Sequence, residues 1–144
     1  MRTTNKITVK PFPIRLYGVV KESIVDGPNL RFVVFVQGCP HHCPGCHNPE
    51  SHDPEGGFLT DTANIWKAFK KNPMIEGITF SGGEPFLWPQ ELAEIGRAVR
   101  SLGMSVMTYS GYTYEQLLLK ASSDVNVRML LEVTNYLVDG PYIE

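Results

Sequence analysis

The chain has 144 residues and a mass of 16.1 kDa, with 42% hydrophobic and 19% charged residues, the size and composition of one compact domain. Thirteen Lys plus Arg stand against fifteen Asp plus Glu, a formal charge of -2, which supplies neither the basic footprint of a nucleic-acid binder nor a polybasic membrane anchor. The longest apolar run, Phe32 to Val36, is too short to span a bilayer, and Met1 to Lys6 lacks the apolar stretch of a signal peptide. The expectation is a cytoplasmic protein with no nucleic-acid and no membrane partner.

Along the chain, Pro11 and Pro13 mark an irregular entry, and Arg15 to Val20 has the β-branched and aromatic content of a short strand. Asp26-Gly27-Pro28-Asn29 is turn chemistry. Arg31 to Val36 is a continuous Val- and Phe-rich run, suited to a strand buried on both faces of a parallel sheet. A long loop follows, with Pro40, Pro44, Pro49 and Pro54, closed by Gly56-Gly57. Asp61 to Lys71 predicts a helix with Ile65, Trp66 and Phe69 on one face and Pro73 as its stop. Gly77 to Phe80 predicts a second buried strand. Pro89 to Leu102 predicts a helix, with Leu92, Ile95 and Val99 on its apolar face and Gly103 past its end. Ser105 to Tyr109 reads as a strand, Thr113 to Ala121 as a helix, Asp124 to Leu131 as another helix, and Tyr136 to Val138 as a last short strand.

This alternation signals parallel βαβ units. A closed eight-fold barrel needs roughly 250 residues, so the length leaves an open α/β sheet or a partial barrel. In both, ligands gather at the carboxyl ends of the strands. Three unusual segments follow three strands: the long loop, Ser81-Gly82-Gly83-Glu84-Pro85, and Tyr109-Ser110-Gly111-Tyr112. They are expected to meet on one rim.

All three cysteines lie in the long loop, as Cys39, Cys43 and Cys46, and all four histidines (His41, His42, His47 and His52) fall nearby. An odd, clustered set does not read as a disulfide framework. The spacing C-x3-C-x2-C lets the sulfurs converge on one metal or cluster. Iron–sulfur clusters are ordinarily held by four cysteines. With three, one iron keeps an open position, as catalytic metal sites do. The loop alone also admits a Cys3His zinc site using His47 or His42, a dithiol at Cys43 and Cys46, and a haem attachment at Cys43 to His47. Gly82 and Gly83 let backbone approach a ligand closely, and Glu84 can receive an ammonium group, although a plain βα turn also favours these residues.

C-x3-C-x2-C with Gly-Gly-Glu one βα unit later resembles the radical S-adenosylmethionine enzymes. Asp26-Gly27-Pro28 to Arg31, Cys46-His47-Asn48-Pro49-Glu50, Thr79 to Phe86, Tyr109 to Thr113 and Leu137 to Pro141 resemble more closely the activases of glycyl-radical enzymes. The likeness runs from about Tyr17 to the C-terminus, over a single radical S-adenosylmethionine domain at 1–144. One departure is Asn29, where the family has Gly; Asn tolerates the left-handed conformation such a turn needs.

The resemblance implies a partial β/α barrel, open on one side. It implies a [4Fe–4S] cluster on Cys39, Cys43 and Cys46, which form the catalytic centre, with S-adenosylmethionine at the remaining iron. Gly82, Gly83 and Glu84 would face its methionine end. Gly45 and His47 would face the adenine, with Tyr109 and Ser110 as further candidates for the adenosine pocket. Arg31 is expected either near the cluster or partner or as a surface residue at a strand entry, and Asp139 on the same rim. The implied protein substrate is the large subunit of an anaerobic ribonucleoside-triphosphate reductase, with a flavodoxin-like electron donor. The alternatives are activation of another glycyl-radical enzyme such as pyruvate formate-lyase, a radical enzyme acting on a small molecule as in deazapurine biosynthesis, and a non-catalytic zinc or iron–sulfur electron-transfer module.

Overall fold

A computed structural model of the chain describes residues 7–39 and 56–140. One six-stranded sheet runs in the order β3-β1-β2-β4-β5-β6. Its strands are β1 (Pro13–Ser23), β2 (Arg31–Val36), β3 (Phe58–Asp61), β4 (Gly77–Gly82), β5 (Ser105–Tyr109) and β6 (Tyr136–Val138). The helices are α1 (Thr62–Lys70), α2 (Pro89–Ser101), α3 (Tyr114–Ala121) and α4 (Val125–Val133). Strands β2, β4, β5 and β6 are parallel neighbours, joined through helical crossovers. The sheet does not close, since β3 and β6 are its two edges.

The expected parallel units are present, and an antiparallel part is added to them. The sheet is mixed, because β1 pairs antiparallel with both β2 and β3. The four residues of β3 are half-buried or exposed, so they carry no apolar run to announce a strand. They are held instead by backbone pairing with Pro13 to Leu16. Strand β1 likewise runs beyond Val20 into exposed Lys21 and Glu22.

Alternation along the parallel strands separates two faces. Phe32, Val34, Val36, Ile78, Phe80 and Val106 form one cluster with Ile65, Trp66 and Phe69 of α1, Leu92, Ile95 and Val99 of α2, Leu117 of α3 and Leu130 of α4. Phe32 meets Phe69 edge to face at 5.8 Å between ring centroids. Burying each such side chain contributes about 1.5–3 kcal/mol. Local capping agrees with this packing. Asp61 and Asp124 cap α1 and α4, and Thr113 with Gln116 forms a capping box on α3, satisfying donors that a helix start leaves open.

The opposite face carries Arg31, Val33, Phe35, Thr79, Ser81, Met107 and Tyr109. The turn after β1 folds over part of it. Asn29 has φ 66° and Gly27 φ 137°, and a Cβ on Gly27 would lie 2.5 Å from Met107 Sδ. The left-handed Asn29 is therefore borne out. Among the described residues no helix is long and apolar enough to cross a membrane.

Candidate functional site

The expected convergence at the strand ends is present among the described residues. Cys39 lies three residues beyond β2 and is half-buried. The backbone that delivers it is fixed from three directions. Gln37 N–H donates to Arg15 C=O at 3.0 Å, and Trp88 Nε1 donates to Gln37 C=O at 3.0 Å. From β4, Gly83 N–H donates to Val36 C=O at 2.9 Å and Glu84 N–H to Gly38 C=O at 2.7 Å. Strand β1 also holds the chain where the loop returns: Arg15 Nη1 donates to Gly56 C=O at 3.3 Å. Gly57, at φ 70°, lies so close to Leu16 that a Cβ would stand 2.2 Å from the Leu16 oxygen.

The glycine pair has a definite physical cause. A Cβ on Gly82 would lie 2.5 Å from Val36 N, and one on Gly83 would lie 2.2 Å from Gly38 O. The backbone that these glycines approach closely is that of the cysteine-bearing segment. Their smallness brings the end of β4 against residues 36–38 and so places Cys39 beside Gly83.

Glu84 is fully buried. Its Oε2 accepts from Phe86 N–H at 3.0 Å and from Ser110 Oγ at 2.9 Å, and its Oε1 accepts from Gly111 N–H at 2.8 Å. The first of these bonds caps the short 3-10 turn Pro85–Leu87. The other two cross to the end of β5. Ser110 Oγ also accepts from Tyr112 N–H at 3.0 Å.

The network continues to β6. Ser110 N–H donates to Val138 C=O and Gly140 N–H to Tyr112 C=O, both at 2.9 Å. Asp139 Oδ2 accepts from Tyr114 N–H at 2.7 Å at the start of α3. Asp139 is thus on the expected rim, tied to α3. Tyr109 is half-buried on the opposite face of the sheet from the helices; burial pushes its phenol pKa up, Asp26 adds to the rise, and Arg31 opposes it.

Arg31 differs from both expectations for it. It is fully buried, and it begins β2, so it sits at the opposite end of the strand from Cys39. Its guanidinium reaches across Gly77 to β5. Nε donates to Thr79 Oγ1 at 2.8 Å, Nη1 to Pro28 C=O at 3.0 Å and Ser105 Oγ at 2.7 Å, and Nη2 to Ile78 C=O at 2.7 Å and Ser105 C=O at 3.0 Å. It ties β2, β4 and β5 together at the end of the sheet away from Cys39.

Cys43, Gly45, Cys46 and His47 lie outside the described residues, as do His41, His42 and His52. The part of the donor set that is described fits an iron–sulfur cluster. A thiol stands at the carboxyl end of a parallel strand, on a backbone fixed in advance, at the edge where such sheets collect ligands. Among the described residues no group of three metal-ligating side chains exists. The anchoring residues Arg15, Gln37 and Trp88 are not singled out by sequence reasoning. Their roles run through backbone carbonyls, which no side-chain pattern reveals.

Comparison with known proteins adds the following. The family described as a 4Fe-4S single cluster domain matches residues 25–144. A pyruvate formate-lyase-activating enzyme of Clostridium pasteurianum is 36% identical over 106 residues, covering 69% of this chain and 44% of that protein. An anaerobic ribonucleoside-triphosphate reductase-activating protein of Enterobacteria phage T4 is 30% identical over 125 residues, covering 82% and 74%. One from Salmonella typhi is 32% identical over 130 residues, covering 84% and 80%. The chain thus spans under half of the first of these relatives and about three quarters or more of the other two. Among solved structures, QueE from Escherichia coli superposes with a TM-score of 0.53 at 13% identity, covering 70% of this chain and 53% of that one. At that identity the likeness shows the fold alone, a partial α/β barrel built on an open sheet.

Proposed function

Because the chain belongs to the radical S-adenosylmethionine activases of glycyl-radical enzymes, within the 4Fe-4S single cluster domain family, we propose that it installs the glycyl radical of an anaerobic ribonucleoside-triphosphate reductase. The likeness to the reductase-activating proteins supports this partner, since it extends over 82% and 84% of this chain against 69% for the lyase-activating enzyme. The observation that carries the reading is the approach of β4 to the cysteine segment, which sets Cys39 directly beside Gly82-Gly83-Glu84.

In this reading Cys39, Cys43 and Cys46 hold a [4Fe–4S] cluster, and the rim formed by Gly82, Gly83 and Ser110 borders the place of S-adenosylmethionine. Together these two groups supply the one-electron radical chemistry. The protein's own residues bind, orient and exclude water. Gly45 and His47 are assigned to the adenosine end of the pocket, with Tyr109 on the wall. The sheet face away from the helices receives the large reductase subunit. A flavodoxin-like donor supplies the electron, and a reducing cytoplasm keeps cysteines available as metal ligands.

Anaerobic reconstitution tests the reading. The expected result is about four irons per chain, with 5′-deoxyadenosine formed on reduction in the presence of S-adenosylmethionine. Cys43→Ala is expected to lose the iron while keeping its circular-dichroism spectrum. Stoichiometric zinc without deoxyadenosine would instead identify a non-catalytic metal module.

A further inference from the structure

We propose that Glu84 is a positioning residue: its carboxylate clamps the cysteine-bearing rim to the β5 rim and so sets the width of the pocket between them, with no contact to the ammonium group of S-adenosylmethionine. The inference rests on the function proposed above for the identity of the pocket's occupant. The clamp itself rests on the hydrogen bonds of the protein.

A carboxylate that serves a ligand must present an oxygen to the pocket. Glu84 is 0% exposed, and both of its oxygens accept from protein donors. Oε2 takes Phe86 N–H and Ser110 Oγ, and Oε1 takes Gly111 N–H. These three donors belong to two segments that are separate in sequence. The backbone of the same residue donates to Gly38, one position before Cys39. Glu84 is therefore the crossing point of three rim segments: residues 36–39, residues 82–87 and residues 110–112. Apolar packing also reaches all three segments, since Val36 and Phe86 belong to the buried core and Tyr112 packs against it; the bonds of Glu84 add directional ties to that non-directional packing. Hydrogen bonds to a charged acceptor are the strong kind, and buried N–H groups left without a partner carry a full desolvation cost. A change at Glu84 thus moves both walls of the pocket relative to each other, and with them the offset between Cys39 and Ser110.

A clamp and an ammonium contact differ in what they discriminate. The probes are S-adenosylmethionine and 5′-methylthioadenosine, which keeps the adenosine and lacks the ammonium group. Binding of each is measured calorimetrically to reconstituted wild-type protein, Glu84→Gln and Ser110→Ala. In parallel, amide hydrogen exchange is followed on the cluster-free chains. Glu84→Gln retains the shape and replaces one acceptor oxygen by a donor. The clamp predicts that it weakens both probes by similar factors, about tenfold, and accelerates exchange at Phe86 or Gly111 by a similar factor. Ser110→Ala keeps the charge of Glu84 and removes one tie; a smaller loss for both probes and faster exchange at Tyr112 are expected. A loss confined to S-adenosylmethionine overturns the proposal in favour of a direct contact, and unchanged exchange at both Phe86 and Gly111 overturns it as well. If the wild-type protein binds neither probe, the proposed function fails, while the exchange measurement still decides the clamp.

Discussion

Arg31 places a permanent positive charge inside the sheet, with all five of its N–H groups donating to neutral acceptors. Among the described residues no carboxylate pairs with it. Burial pushes its pKa down, and the neighbouring Tyr136 and Tyr109 oppose that shift; a guanidinium remains charged throughout. The arrangement needs space that only glycine leaves. A Cβ on Gly77 would stand 2.5 Å from Arg31 Nη1, and one on Gly27 would stand 2.8 Å from Arg31 Cδ. Removing the side chain strands Thr79, Ser105 and three carbonyls together. Arg31→Met is expected to destabilise the fold by about 3 kcal/mol or more, read as a lower urea midpoint. An unchanged midpoint would show that water satisfies those groups equally well.

Between elements, the contact that matters most for the site joins β2 to β4 beyond the end of their ladder. The parallel register reaches Val36↔Gly82. From there Gly83 and Glu84 continue the pairing onto Val36 and Gly38, so the strand pair extends into the segment that carries Cys39. Gly83→Ala tests this extension. Its methyl group would need the space of Gly38 O, 2.2 Å away, and the two rims must separate to admit it. The expected outcome is a stability loss of about 2 kcal/mol, together with slower iron uptake during reconstitution. Normal iron uptake at a reduced stability would place Gly83 in folding alone. Trp88 supports the same join from the other side of the 3-10 turn, through its bond to Gln37.

At the scale of the molecule, the helices lie on one face of an unclosed sheet, and among the described residues the other face is only partly covered. Edge strand β6 leaves Tyr136 48% and Val138 42% exposed, next to half-buried Met107 and Tyr109 on β5. An arc of this kind leaves a lateral opening beside the strand ends, wide enough in principle for a protein segment, which a closed barrel lacks. This is the geometric support for a macromolecular substrate. The corresponding measurement is electron paramagnetic resonance after mixing the reconstituted, reduced chain and S-adenosylmethionine with an anaerobic ribonucleoside-triphosphate reductase. A glycyl-radical doublet is expected. Its absence, with deoxyadenosine still formed, would direct attention to another glycyl-radical enzyme.

The sequence by itself determined the elements with strong apolar patterns and marked out the loop in which the cysteines cluster. Strand β2 is found at Arg31–Val36 and β5 at Ser105–Tyr109, as read, because the Val- and Phe-rich run of β2 needs burial on a sheet and the Val-Met-Thr-Tyr stretch of β5 suits a pleated surface. The helix-facing side chains Ile65, Trp66 and Phe69 and the caps at Asp61 and Asp124 follow from local periodicity and local hydrogen bonding. Three clustered cysteines and a Gly-Gly-Glu segment were legible because metal ligands and glycines are scarce side-chain choices. Only the tertiary structure decided what these groups face. Strand β3 forms because β1 offers it an edge, a backbone preference that Phe58-Leu59-Thr60-Asp61 does not encode alone. Arg31 proved to be an internal peg, since its acceptors come from positions up to 74 residues away. The glycines of the rim approach the neighbouring backbone, and Glu84 turns inward to the β5 rim. These are long-range hydrogen bonds, many of them to main-chain atoms that every residue possesses, and such partners leave no mark in residue type or spacing.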